Sequence, residues 1–285
     1  MKTNLFLFVL LTAIPLRAAT TIDPVNRYAY GANIGWINCA GDTANGAVIG
    51  EYVCSGYIYS ANIGWINLGS GVSANGIAYQ NNSAVDFGVN NDGLGNLRGY
   101  AYAANAGWIA FENTGAPAVD LRTGVLSGSV WSANCGWISL SNAVAYVQTD
   151  TISPGALDTN GLPIAWELTY FGQTGINPNA DPDGDGMSNY QEYLAGTNPT
   201  NADSNLIITA QAFTSNGVNS SVTWTSVPSR LYYLEQTPDL ASTNWQDSGL
   251  GLISPSASSD TTADFTAPAA PARFYRVQAV IPLAP

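Results

Sequence analysis

The chain has 285 residues, 46% of them hydrophobic and only 10% charged, with 20 acidic against eight basic side chains and a net charge of −12. It contains no histidine, which excludes Ser-His-Asp and Cys-His nucleophile relays and histidine-ligated zinc. So acidic a surface disfavours nucleic acid and anionic membranes as partners and suits cations.

At the N-terminus, Met1-Lys2, the apolar run from Leu5 to Leu16 and the small pair Ala18-Ala19 read as a secretory signal over residues 1–19. About a dozen apolar residues are too few to span a bilayer. Its removal takes away Lys2 and Arg17 and leaves arginine as the only basic residue. The expected mature protein is exported, either secreted or held at the cell surface, without membrane insertion.

Residues 20–150 are read as a β repeat domain. Four copies of one motif stand out: YAYGANIGWI from Tyr28, YIYSANIGWI from Tyr57, YAYAANAGWI from Tyr100 and SVWSANCGWI from Ser129. Trp36, Trp65, Trp108 and Trp137 stand 29, 43 and 29 residues apart. Such self-similarity predicts stacked or meandering hairpins, closed as a barrel or extended as a solenoid. Each unit alternates with period two, turns at a small-Ala-Asn segment and returns through Gly-Trp-Ile. Further strands are expected at Ala84–Val89, Asn96–Tyr102, Ala118–Leu121, Val125–Trp131 and Ala143–Val147, and the wider gap is read as one extra hairpin. The four tryptophans are read as core pillars, since aromatics bury 150–250 Å² each. The tyrosines before each turn are the expected solvent-facing rings. A Cys39–Cys54 bridge would close about 15 residues and contribute about 3 kcal/mol. Cys135 stands where the other copies have Ile34, Ile63 and Ala106, and so reads as a small buried apolar residue. The SANIGWI-type units resemble repeats of bacterial cell-surface proteins, a likeness that implies no activity.

Residues 151–205 form the expected helix-loop-helix calcium segment. Pro163 suits a first helical turn and Gly172 a stop, which predicts a helix between them. The stretch from Asp181 to Glu192 fits D-x-[DN]-x-[DN]-G-x5-E at every defined position. Calcium is a hard cation that takes six to eight oxygens. Asp181, Asp183 and Asp185 would supply carboxylates at alternate positions, Gly186 the bend, Met187 its backbone carbonyl, Asn189 its amide or a bridging water, and Glu192 two oxygens. Ser188 to Gln191 matches a capping box, and Gly196 ends the second helix. Asn198 or Asp203 would add an oxygen from the segment that follows. An earlier, degenerate loop places Asp158 at position 3, Asn160 at 5, Gly161 at 6 and Glu167 at 12. It carries Ala156 and Ile164 where two ligands belong, and reads as a vestigial helix start with weak ion binding or none. The block from Gly161 to Ser204 resembles thrombospondin type 3-like or dockerin-like calcium segments of exported bacterial modular proteins. That resemblance implies calcium on Asp181, Asp183, Asp185 and Glu192 and a stiff joint between domains.

Residues 206–285 turn β-rich again, with alternating runs at Leu206–Phe213, Ser221–Ser226, Leu231–Gln236, Gly249–Ile253, Thr262–Phe265 and Phe274–Val280. That spacing predicts a small antiparallel sandwich anchored by Trp224 and Tyr232. The run TWTSVPSRLYYLEQTPDL with FYRV resembles a fibronectin type III-like module, which carries no catalytic motif. Three functions are left in play. The first is a calcium-stiffened structural or adhesive protein with a cell-surface glycan or protein as target. The second is a carbohydrate binder using Tyr28, Tyr30, Tyr57, Tyr59, Tyr100, Tyr102 and Trp131. The third is a two-carboxylate glycosidase drawing on Glu51, Asp86, Asp92, Glu112 or Asp120. The non-enzymatic reading is preferred, because none of those acids sits in a recognisable motif.

Overall fold

The structure, a computed structural model, describes residues 20–213, 219–241, 243–266 and 273–285; the expected signal segment lies outside the described residues. Twelve short strands build the first part of the chain: β1 (Ile22–Gly31), β2 (Gly35–Asn38), β3 (Ser55–Ser60), β4 (Gly64–Ser70), β5 (Val89–Asn91), β6 (Leu97–Ala103), β7 (Gly107–Phe111), β8 (Ala118–Val119), β9 (Leu126–Ser127), β10 (Ser129–Ser132), β11 (Gly136–Ser139) and β12 (Val147–Thr149). The four repeat copies are the hairpins β1–β2, β3–β4, β6–β7 and β10–β11. They pair side by side, and β11 returns to β1 through Tyr30 opposite Ser139, so the sheet closes into an eight-stranded antiparallel barrel. The barrel alternative is therefore the one realised, not the solenoid. Closure removes the free edges that an open meander would expose.

Alternation along each hairpin decides what fills the barrel. Ala29 faces Ile37, Ile58 faces Ile66, Ala101 faces Ile109 and Val130 faces Ile138 across their strand pairs. These residues point inward, and the four isoleucines of the Gly-Trp-Ile units are at most 2% exposed. The tryptophans one residue earlier necessarily point outward, at 46–47% exposure. They are not core pillars. An eight-stranded barrel leaves an interior just wide enough for aliphatic side chains, so the indoles pack outside against a cross-strand ring. Tyr30–Trp36, Tyr59–Trp65, Tyr102–Trp108 and Trp131–Trp137 stand 4.9, 4.8, 4.9 and 5.1 Å apart between centroids.

A ring of amides ties the repeats at one end of the barrel. Each turn asparagine donates its side-chain N–H to a carbonyl in the turn of the preceding copy. Asn62 reaches Ile34 O at 2.9 Å, Asn105 reaches Ile63 O at 3.2 Å and Asn134 reaches Ala106 O at 3.0 Å. Asn33 reaches Cys135 O at 3.0 Å and closes the circle. The residues offering those carbonyls are buried and plug the barrel mouth, Cys135 among them. Cys39 and Cys54 are also buried, and all three thiols are free. The expected Cys39–Cys54 bridge is absent: both side chains lie in the barrel core as free thiols. Burial pushes both thiols up to about 12.

The extra residues between β4 and β6 form a braced loop that ends in the expected extra hairpin, a short one in which β5 pairs antiparallel with β6 through Val89 opposite Gly99 and Asn91 opposite Leu97. The Tyr79 hydroxyl donates to Cys54 O at 3.1 Å and accepts from Gly71 N at 2.6 Å. The strand expected at Ala84–Val89 is displaced to β5, which shares only Val89 with it; upstream, Asp86 is buried and its carboxylate accepts from the Ala74 and Gln80 N–H groups, holding that stretch in a loop. Two short helices follow the barrel, α1 (Ile164–Phe171) and α2 (Asn189–Ala195). They pack on each other through Leu162, Trp166 and Tyr193, with the Trp166 and Tyr193 rings 5.9 Å apart.

The C-terminal strands are β13 (Ile208–Phe213), β14 (Asn219–Thr225), β15 (Leu231–Thr237), β16 (Gln246–Asp247), β17 (Asp260–Thr266) and β18 (Phe274–Val280). They form two three-stranded antiparallel sheets, β13-β14-β17 and β16-β15-β18. Val222, Trp224, Tyr232, Leu234, Ala263 and Phe265 make the core between the two sheets, with Trp224 and Tyr232 fully buried. The run Gly249–Ile253 contributes only a bridge from Ile253 to Tyr232, because the short edge strand falls earlier, at β16.

Candidate metal centre

Two sets of local signals hold the loop Asp181–Glu192 in place. Upstream, the Asn189 N–H donates to Ala180 O, the Asn189 amide to Asn177 O and the Tyr190 N–H to Pro178 O. Downstream, α2 begins with a full capping box: the Ser188 side chain accepts from Gln191 N, and the Gln191 side chain accepts from Ser188 N. It ends at Gly196, which has a left-handed φ of 73°. The capping motif and both helix stops predicted from sequence are all present, Gly172 closing α1 in the same way.

Within the loop, backbone N–H groups draw one face of each carboxylate. Asp181 accepts from Gly184 N at 2.8 Å and from Gly186 N at 3.0 Å. Asp183 accepts from Asp185 N at 3.2 Å through Oδ1, and Asp185 from Met187 N at 2.7 Å through Oδ1. The three aspartates offer oxygens that all lie within 4.8 Å of one another. The second oxygens of Asp183 and Asp185 are buried without any hydrogen-bond partner, as are Asn189 Oδ1 and Glu192 Oε2. Glu192 is 0% exposed, and its other oxygen accepts from the Thr197 hydroxyl at 3.3 Å. Burial first, then the charges of Asp183 and Asp185, push the Glu192 carboxyl up to about 7.

Buried polar groups are normally paired, and buried charges are paired or coordinate a metal. Here four unpartnered oxygens sit in one loop, and no basic residue occurs between Arg122 and Arg230. Neither the Arg230–Glu51 nor the Arg276–Glu235 ion pair touches the loop. The donor set is all hard oxygen, without nitrogen or sulfur, which fits Ca²⁺. Of the expected ligands, Asp181, Asp183 and Asp185 bring their oxygens together, Asn189 and Glu192 each keep a buried oxygen without a partner, and the Met187 N–H is turned to Asp185. Two expected extras do not join. Asn198 spends its side-chain oxygen on Thr200 N and the Thr200 hydroxyl, and Asp203 is exposed and outside the aspartate cluster.

Three features of the site escape a sequence reading. Thr197 supplies the one hydrogen bond on the Glu192 carboxylate. Arg230, buried at the start of β15, donates Nε to Leu194 O at 3.0 Å and Nη2 to Tyr193 O at 2.7 Å, capping the C-terminal carbonyls of α2. Its Nη1 meets Glu51 Oε1 of the barrel at 3.3 Å, and the Tyr193 hydroxyl donates to Glu51 Oε2 at 3.3 Å. One arginine therefore joins the barrel, the helix that carries Glu192 and the C-terminal sheets. Gly196 makes room for it, since a Cβ there would lie 2.9 Å from Arg230 Cγ.

The fold sets an oxygen-rich loop, able to hold a metal ion, between two β units. Residues 181–202 match the family model described as a bacterial TSP3 repeat. No curated protein and no solved structure matches the chain. The repeat is of a calcium-binding type, which agrees with the aspartate cluster. Among the described residues, no helix is long and apolar enough to cross a membrane.

The raised Glu192 carboxyl sets a pH signature for metal-free protein. Its folded pKa of about 7 lies above the ordinary glutamate value of 4.5, so the folded state holds the extra proton between those limits. That contribution is complete below about pH 4.5 and is lost as the pH rises through about 7. In chelator, the melting temperature of the wild type relative to Glu192→Gln is expected to fall between pH 5 and 7.5. Calcium stabilisation should grow over the same window, because the ligand must be deprotonated. A difference between the two proteins that stays constant across that window removes Glu192 as its source.

Proposed function

We propose that this is an exported, non-enzymatic structural or adhesive protein of the cell exterior. One calcium ion, held by Asp181, Asp183, Asp185, the Met187 carbonyl, Asn189 and Glu192, stiffens the joint between the barrel and the C-terminal sandwich. The observation that carries the reading is the set of buried, unpartnered oxygens on Asp183, Asp185, Asn189 and Glu192. Export rests on the signal-like residues 1–19. The surface-repeat kinship of the barrel and the fibronectin type III-like kinship of the sandwich belong to the same proposal. Four of the five carboxylates that a glycosidase would draw on have structural partners, and the fifth, Glu112, is exposed. Glu51 pairs with Arg230, while Asp86, Asp92 and Asp120 accept backbone N–H groups of their own loops. In a melting experiment on the mature chain, millimolar calcium is expected to raise the transition by roughly 5–10 °C over chelator, if it exceeds the dissociation constant about 100-fold. Identical curves in calcium and chelator would overturn the reading.

A second reading has its own observation. The aromatic pairs form a belt outside the barrel, and Tyr100, Trp108 and Phe87 line a cleft of about 500 Å³ together with Asn82 and Ser83. Half-exposed rings beside uncharged amide and hydroxyl groups suit a neutral glycan, with the tyrosines and Trp131 as further contacts. Binding to a neutral polysaccharide is expected to weaken at least tenfold in Trp108→Ala, measured by affinity electrophoresis. Retardation that is equal in the two proteins would remove this cleft from consideration.

A further inference from the structure

We infer that the earlier loop, Asp158 to Glu167, is a second and weaker calcium site, built from the Asp158 carboxylate, the Asn160 side chain and the buried Glu167 carboxylate. Glu167 occupies the first turn of α1, six residues after Gly161, as Glu192 follows Gly186 by six in α2. Both glycines take the positive φ the bend requires, 86° and 96°. Glu167, like Glu192, is 0% exposed. Its Oε1 accepts from Ile176 N at 2.7 Å, while Oε2 is buried with no partner. That orphan repeats, in the first loop, the feature that marks the second.

The Arg230–Glu51 and Arg276–Glu235 ion pairs leave Asp158 and Glu167 untouched. The stretch from Arg122 to Arg230 carries no basic side chain, and Arg230 is committed to Glu51, Tyr193 and Leu194. Asp158 is folded toward its own loop, its Oδ1 accepting from Asn160 N at 2.8 Å and Leu162 N at 3.1 Å. Its charge is felt at the Glu167 carboxylate. A fully buried carboxylate beside a second, half-buried one is an arrangement a hard divalent ion relieves. Ala156 and Ile164 give no side-chain oxygen, so the site holds two carboxylates where the later loop holds four. Fewer charged ligands mean weaker binding, with waters completing the shell.

The inference does not rest on the reading of the later loop, and the test separates them. Equilibrium dialysis of the mature chain against radioactive calcium chloride alone, up to about 10 mM, is expected to give two ions per chain in two steps. Asp158→Asn and Glu167→Gln should each abolish the weaker step and keep the tighter one, and Glu192→Gln should do the reverse. Asp158 is only half-buried, so its variant keeps the proposal testable if Glu167→Gln fails to fold. One ion per chain in the wild type, lost in Glu192→Gln and unchanged in Asp158→Asn, overturns the second site and leaves the first standing. One ion lost in Asp158→Asn and unchanged in Glu192→Gln supports the second site and overturns the first.

Discussion

Glu192→Gln is expected to abolish the calcium-dependent rise in melting temperature while leaving the metal-free protein at least as stable near pH 8. The two halves of that result have separate causes. Calcium stabilises by binding the folded state alone, by about 2.7 kcal/mol at a concentration 100-fold above its dissociation constant. Glu192 contributes to that term through a buried oxygen that nothing else satisfies. Without the ion, the same carboxylate is a liability, because it is buried and faces the charges of Asp183 and Asp185. Glutamine keeps its shape and can still accept from the Thr197 hydroxyl, but removes the repulsion. Asp183→Ala should lose the calcium increment as well. The measurement is a pair of melts for each protein, in chelator and in millimolar calcium. A variant that loses stability equally in both would make Glu192 a packing residue. One that keeps the full increment would put the ion elsewhere.

What could be read from the sequence was what the chain settles within about a dozen residues. Both helix stops, the Ser188–Gln191 capping box and the alternating aspartates depend on spacings of two to eleven positions, and each appears where the spacing puts it. The outward tryptophans lie beyond what alternation can resolve. Period two separates Trp65 from Ile66 but does not say which of them faces inward. Size favours the indole in a small sheet, but closure of eight strands favours isoleucine. Closure itself depends on Tyr30 pairing with Ser139 and on Asn33 reaching Cys135, contacts between the two ends of the domain. The asparagines were visible in every copy, but only the ring gives them their role. Arg230 and Glu51 lie 179 residues apart, and no local pattern joins them.

Arg230→Met is expected to cost the joint about 3–5 kcal/mol, the usual penalty for removing one partner of a buried ion pair. Methionine keeps most of the packing beside Gly196 and Val227, so the loss reports the guanidinium. It strands the Glu51 carboxylate and uncaps the Tyr193 and Leu194 carbonyls together. Adding Glu51→Gln should restore part of the stability, because the stranded charge goes with it. A second consequence follows from position. The two carbonyls that Arg230 holds belong to the residues directly after Glu192, so the arginine fixes the turn of helix on which that ligand sits. If calcium tightens the joint through α2, linkage requires that loosening the joint weakens calcium by the same factor. Titration calorimetry on Arg230→Met is therefore expected to show calcium binding weakened at least fivefold, although no calcium ligand has been altered. An unchanged dissociation constant beside a destabilised joint would separate the two, leaving the ion to stabilise its own loop and the arginine alone to hold barrel and sandwich together.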